Sequence, residues 1–203
     1  MDTKLQTGLL LILGPIVSMV GWIVFYPADP SDQAAVWASK LIADPDGTAM
    51  LGMVIGFGGT LAMLIGLFNV CRRMIMANTV GSAYASVATI LVLVTATMMI
   101  CLFGFELEVH RAADVRAAGP LIAIAYAINS TMSGIIGLAV LLLAIGIALQ
   151  KNYHIVIAGA GVLGGVVMIA ATVAEKTEWQ GIGWPLMLLF AIAMGVMRIR
   201  ASE

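Results

Sequence analysis

The sequence predicts an all-α polytopic membrane protein, with six transmembrane helices and an amphipathic interfacial helix between the first and second. Hydrophobic residues make up 62% of the 203 positions, and charged residues only 10%. A soluble chain of this size could not bury so much apolar surface. Six stretches without Asp, Glu, Lys or Arg are each long enough to cross a hydrocarbon core of about 30 Å as a helix. None of them alternates as a membrane β-strand does.

The six spans form a single transmembrane domain that covers residues 1–203. Their predicted bounds are approximately 5–27, 48–71, 79–105, 120–150, 153–174 and 180–198. The first span is expected to be a retained helix, because no small-residue cleavage site follows its apolar run. Residues 120–128 have a second interpretation, in which they re-enter or lie flat and the true span begins near Ser130.

Residues 30–43 are predicted to form the interfacial helix. Pro30 favours a helix start, and apolar residues such as Trp37, Ala38 and Leu41 then recur at helical spacing. The segment is too short to cross the membrane, so it is expected to lie on the outer membrane surface. Anchoring at the interface is the main interpretation of this helix, and a lid over a pocket is the alternative.

The distribution of charge predicts an inner-membrane protein with both termini in the cytoplasm. Short segments on the side of the termini carry six basic residues, whereas the opposite loops carry four. Those six are Lys4, Arg72, Arg73, Lys151, Arg198 and Arg200. Nine acidic residues and all four tryptophans are assigned to the opposite, outer side. The outer face therefore holds most of the chemically versatile side chains.

Candidate ligand-binding residues are assigned to the outer ends of the third to sixth spans. The third helix is expected to continue to Ala118 and to end at Gly119 and Pro120. It would then carry Glu106, His110 and Asp114 on one stripe. The complete candidate set is Glu106, His110, Asp114, Asn129, Glu175, Glu178, Trp179 and Trp184.

These residue types suit three kinds of chemistry. Carboxylates beside an imidazole can run acid–base reactions. They can also bind a cation with histidine as the nitrogen ligand, although no metal site is assigned and only Glu106 and His110 are candidate ligands. Tryptophan faces with carboxylates can hold a quaternary ammonium group. The alternative is a solvated polar rim with salt bridges such as Glu108–Arg111. No cofactor and no nucleic-acid partner are predicted.

Glycine-rich helix faces predict close helix packing. Gly52 and Gly56 have the small-xxx-small spacing in the second span, and the fifth span contains Gly159, Gly161, Gly164 and Gly165. The lipid bilayer is the predicted partner, and another membrane protein or a second copy of the chain is a further candidate that would pack on these glycine-rich faces. In the fourth span, Asn129, Ser130, Thr131 and Ser133 are expected to face protein, because lipid offers no hydrogen bonds.

Three functions follow from these features. The first is a non-enzymatic accessory subunit or packing partner in a membrane complex, since the sequence has no complete catalytic motif. The second is a protein that binds or transports a lipid or amphiphile from the outer leaflet. The third is a membrane enzyme that uses Glu106 and His110. Ionisable residues are missing from the middle of the spans, which disfavours ion-coupled carriers and proton pumps.

Overall fold

The computed structural model describes residues 3–27, 33–44, 47–151 and 153–200. Within these residues the chain is all-α and has seven α-helices, six of which are long and apolar enough to cross a membrane. Their bounds are α1 Thr3–Val20, α2 Ala34–Ile42, α3 Thr48–Met76, α4 Ser82–His110, α5 Val115–Gln150, α6 Ile155–Val173 and α7 Thr177–Arg200. The predicted fold class is confirmed.

The six long helices form a closed ring that follows chain order. α1 packs against α3 and α7, and each remaining helix packs against its neighbours in the sequence, so that the ring reads α1, α3, α4, α5, α6, α7. Short connections join the neighbours from α3 to α7, whereas the connection from α1 to α3 is longer and contains α2. Six crossings return the chain to the side from which it started. We call the side of the termini the terminal side, and the opposite side the distal side.

Glycines let the helices of the ring approach closely. A Cβ on Gly14 would lie 2.6 Å from the backbone nitrogen of Met63, and one on Gly165 would lie 2.6 Å from the carbonyl oxygen of Gly137. Gly161 similarly faces Phe190, a fully buried core residue of α7. The glycines of the second and fifth spans thus contact other parts of the same chain, except Gly58 and Gly159, which face open space.

The α4–α5 connection differs from the sequence prediction. The expected continuation to Ala118 is wrong, because α4 ends at His110 and α5 begins at Val115. Asp114 lies between the two helices and starts α5, because its side chain accepts a 2.7 Å hydrogen bond from the backbone N–H of Ala117, as an N-cap residue does. Pro120 lies inside α5 near its exposed start. It removes one hydrogen bond there without ending the helix, which runs unbroken through residues 120–128.

The helices α3, α4 and α5 are longer than a bilayer requires. They have 29, 29 and 36 residues, against 19 in α6. At 1.5 Å per residue, a helix crosses the hydrocarbon core in about 20 residues. When their terminal-side ends are placed at the boundary of the core, the distal ends of these three helices project beyond it. We call these ends, together with α2 and residues 21–27, the distal cap.

The length of α5 also corrects the expectation for Asn129, Ser130 and Thr131, whereas Ser133 faces protein as expected. Asn129, Ser130 and Thr131 are exposed, whereas Ser133 is fully buried and its hydroxyl has no hydrogen-bond partner in the described part of the chain. Counting about 20 residues back from the terminal-side end of α5 places Asn129 at the distal boundary of the hydrocarbon core. At this level polar headgroups and water are available, so these side chains need not face protein.

Candidate functional site

A carboxyl group is buried in the distal cap and is joined to a chain of hydrogen bonds. Glu106 of α4 is only 5% exposed, and its Oε2 accepts a 2.8 Å hydrogen bond from the hydroxyl of Tyr26. The Tyr26 oxygen in turn accepts a 3.0 Å hydrogen bond from the indole Nε1 of Trp37 in α2. Because an indole N–H can only donate, the hydrogen of the Tyr26 hydroxyl points at Glu106. The chain runs from Trp37 through Tyr26 to Glu106.

Tyr26 stays protonated under ordinary conditions. Burial raises the pKa of its hydroxyl well above the usual value, and the nearby negative charge of Glu106 adds to the effect. A protonated phenol is the form that can donate to the carboxylate. The hydrogen-bond chain is therefore a property of the neutral tyrosine.

The raised pKa of Tyr26 predicts a loss of stability at alkaline pH. In the unfolded chain a tyrosine ionises near pH 10, as a rough value, whereas folded Tyr26 resists ionisation. Its contribution to the free energy of unfolding is therefore complete below that pH, and is lost as pH rises towards the folded pKa. Thermal melts in detergent should show a steeper alkaline decline for the wild type than for Tyr26→Phe. Parallel declines would contradict this assignment.

Aromatic rings surround the hydrogen-bond chain. The ring of Trp22 makes edge-to-face contacts with Tyr26 at 4.7 Å and with Phe57 at 4.9 Å between centroids. Phe57 contacts Phe103, which lies one turn before Glu106 on α4. These rings exclude water from the carboxyl, and their faces are the surfaces that attract organic cations.

The end of α1 is shaped to hold Trp22 and Tyr26 in this position. Gly21–Phe25 form a π-helical turn, after which Tyr26 is extended. Two glycines of α3 allow the turn to lie directly on that helix, because a Cβ on Gly52 would lie 2.8 Å from the Tyr26 nitrogen and one on Gly56 would lie 2.7 Å from the Trp22 ring. The small-xxx-small spacing of Gly52 and Gly56, which predicted helix packing, therefore makes room for the aromatic cluster.

Helix α2 covers this site and is attached to it by its own polar contacts. Trp37 is 8% exposed and packs edge-to-face on Tyr126 of α5, with 5.3 Å between centroids. At the other end of α2, the Nδ1 of His110 lies 2.8 Å from the carbonyl oxygen of Leu41. A carbonyl only accepts, so Nδ1 carries the proton, and Nε2 is the acceptor in neutral imidazole. The apolar face of α2 is thus occupied by protein; residues 30–32 of the predicted interfacial helix lie outside the described residues.

Asp44 fixes the connection between α2 and α3. Its carboxylate accepts 2.7 Å hydrogen bonds from the Thr48 hydroxyl and the Ala49 backbone N–H. Slight burial acts to raise the pKa of Asp44, but these hydrogen bonds and the nearby His110 imidazole hold it below its usual value. The charged aspartate anchors the first turn of α3 beside the His110 contact.

The other acidic candidates at the α4–α5 connection have local roles. Asp114 caps α5, as described above, and is exposed. Glu108 forms the expected ion pair with Arg111, at 3.0 Å, with both side chains more than half exposed. An exposed pair of this kind contributes at most about 1 kcal/mol to the free energy of unfolding. Of the stripe proposed from sequence, only Glu106 and His110 take part in the site.

The candidates from the α6–α7 connection lie elsewhere on the ring. α5 packs between α4 and α6, and no described hydrogen bond or ion pair joins Glu175 or Glu178 to Glu106. Glu175 and Glu178 are exposed, Trp179 is 45% exposed, and Trp184 is half-buried against the core. Asn129 is exposed on α5. The structure therefore brings Glu106 and His110 together with α2, and leaves the remaining candidates outside this group.

Sequence analysis missed Tyr26, Tyr126 and Phe57 as members of the site. It also placed Trp22 and Trp37 on the outer side without including them among the candidate residues. The available signal was the position of Tyr26 between an apolar run and Pro27, where a chain emerges from the membrane. Comparisons with protein-family models, with curated proteins and with solved structures show no match to this chain.

Proposed function

We propose that the protein binds an amphiphilic ligand with a cationic ammonium headgroup at the distal cap, beneath α2. One observation carries this proposal: Glu106 is buried among aromatic rings, and in the described part of the chain it forms no ion pair with a basic side chain. A buried carboxylate is costly without a compensating positive charge or proton. An organic cation supplies that charge, and the faces of Trp22 and Trp37 favour it further.

The Tyr26 hydroxyl occupies one Glu106 oxygen in the structure, and we expect the ligand to compete with it. α2 is the element that has to move, because it supplies Trp37, the donor that holds Tyr26. The proximity of the site to the hydrocarbon boundary favours a ligand whose chain stays in lipid while its headgroup reaches Glu106. The glycines that motivated an accessory role mostly contact this chain's own helices, so binding at the cap has the more specific support.

The test measures binding of a long-chain alkyl trimethylammonium compound to the purified protein in nanodiscs of neutral lipid. An alkyl sulfate of the same chain length is the control ligand, and intrinsic tryptophan fluorescence reports binding. We expect saturable binding of the cation only. Glu106→Gln should weaken it by about 10-fold to 100-fold, the range for losing a charge-assisted contact. Glu108→Gln, which neutralises an exposed acid of the same helix, should leave it unchanged.

Tyr26→Phe gives an opposite expectation and guards against a folding artefact. If the ligand competes with the Tyr26 hydroxyl for Glu106, removing that hydroxyl should strengthen cation binding several-fold. Saturable binding that is equally weak in Glu106→Gln and Glu108→Gln, or binding that prefers the alkyl sulfate, would overturn the proposal. No saturable binding to any of the proteins would overturn it as well.

A further inference from the structure

A lipid-facing groove runs along the seam between α1 and α3, and begins on the terminal side of the distal cap. It has a volume of about 340 Å³ and an almost entirely apolar lining, which includes Leu9, Leu13 and Val17 of α1 and Gly58 and Ala62 of α3. The groove is deep at Gly58 because this residue has no side chain, and a Cβ at this position would meet nothing within 4 Å. The groove is therefore open surface that the packing of this chain leaves uncovered.

The length of the groove matches one leaflet of a bilayer. From Gln6 to Val17 it extends about 16 Å at 1.5 Å per residue, close to half of a hydrocarbon core of about 30 Å. A transmembrane helix of a partner would need a surface along the whole core. A lipid acyl chain needs only about the length that this groove provides, which starts at Gln6 near the terminal side.

A positive charge lies at the terminal-side mouth of the groove. Arg73 is three helical turns beyond Ala62, and therefore within about 20° of it around α3, whereas Arg72 is turned by about 80°. The Nη2 of Arg73 donates a 3.1 Å hydrogen bond to the hydroxyl of Thr3, which places the guanidinium in the α1–α3 seam. Arg72 instead stacks over Phe68, at 5.8 Å from the ring centroid. The exposed amide of Gln6 lies between Arg73 and the apolar part of the groove.

We propose that this groove holds an acyl chain of an anionic phospholipid from the terminal-side leaflet, with its phosphate at Arg73. A guanidinium has five N–H donors in a planar fork that matches phosphate oxygens, and Thr3 uses one of them. The apolar groove orients the chain, and the arginine selects the headgroup. This site is independent of the proposed cation site in the distal cap.

The test uses native mass spectrometry to measure which lipids stay bound to the protein. The protein is purified from vesicles with equal parts of phosphatidylglycerol and phosphatidylcholine. The wild type should retain one phosphatidylglycerol in preference to phosphatidylcholine. Gly58→Leu should fill the groove and reduce retention at least 10-fold. Gly104→Leu is the matched control, because Gly104 of α4 also faces open space, and it should retain lipid as the wild type does.

A second pair of variants separates chain binding from headgroup selection. Arg73→Gln should abolish the preference for phosphatidylglycerol, Arg73→Lys should keep part of it, and Arg72→Gln should keep all of it. Equal loss in Arg72→Gln and Arg73→Gln, or equal retention in Gly58→Leu and the wild type, would overturn the proposal. It would also fail if Gly58→Leu released a co-purifying polypeptide while lipid retention stayed the same.

Discussion

Replacing Gly59 by leucine should prevent stable packing of α1 on α3, whereas the same change at the adjacent Gly58 should be tolerated. A Cβ on Gly59 would collide with the backbone nitrogen of Ser18 and would lie 2.7 Å from the carbonyl oxygen of Gly14. Both are backbone atoms of α1, which move only if the helix moves. The adjacent hydrogen bond of 2.6 Å between the Ser18 and Thr60 hydroxyls would be strained by that movement.

Gly59→Leu should lower the free energy of unfolding by more than about 3 kcal/mol. This is above the usual range for overpacking, because the structure has no space for any part of the leucine side chain. Thermal unfolding in detergent, followed by circular dichroism, measures the difference between the variants. Gly58→Leu should melt within a few degrees of the wild type, since its Cβ meets open space. Equal melting temperatures for the two variants would mean that α1 and α3 are not in contact as described.

Much of the fold could be predicted from the long stretches of sequence that contain no charged residues. Each long run without ionisable residues contains a helix in the structure, because lipid requires the backbone to satisfy its own hydrogen bonds. The point at which α4 ends was less predictable. Residues 105–118 contain many good helix formers, and the break depends on the capping interaction of Asp114 with the Ala117 N–H. Such a cap stabilises a helix start by only about 1 kcal/mol. A free-energy difference this small between a break and a continuous helix is not visible in a sequence pattern.

The candidate site was partly predictable for a different reason. Glu106 and His110 share a face of one helix, and helical spacing is readable from sequence. Their partners are not, because Tyr26 is 80 positions away from Glu106 in the chain and reaches it only through the order of helices in the ring. Sequence analysis placed the candidates at the outer ends of the third to sixth spans. In the ring α5 separates α4 from α6, and residues 21–27 and α2 supply the hydrogen-bond chain to Glu106 instead.

Replacing Trp37 by alanine should release α2 from the distal cap. The indole is 8% exposed and makes two of the contacts that attach this helix, the hydrogen bond to Tyr26 and the edge-to-face contact with Tyr126. Truncating a buried tryptophan costs about 3–5 kcal/mol. Without the indole, the 9 residues of α2 keep the His110 contact at Leu41 and the packing of the buried Ala38 and Leu41. We expect amide hydrogen exchange in residues 34–42 to accelerate by roughly 100-fold, the equivalent of about 3 kcal/mol.

The neighbouring residue provides the control, and graded variants identify which contact matters. Val36 is 44% exposed, so Val36→Ala should leave exchange in α2 almost unchanged. Trp37→Phe keeps a ring against Tyr126 but loses the donor to Tyr26, and its effect should be intermediate. If Trp37→Ala lowers the melting temperature of the whole protein without a selective effect on residues 34–42, the indole is a general core residue and α2 is not a separable cover. A selective effect would instead mean that α2 opens as a unit, which is the movement that access to Glu106 requires.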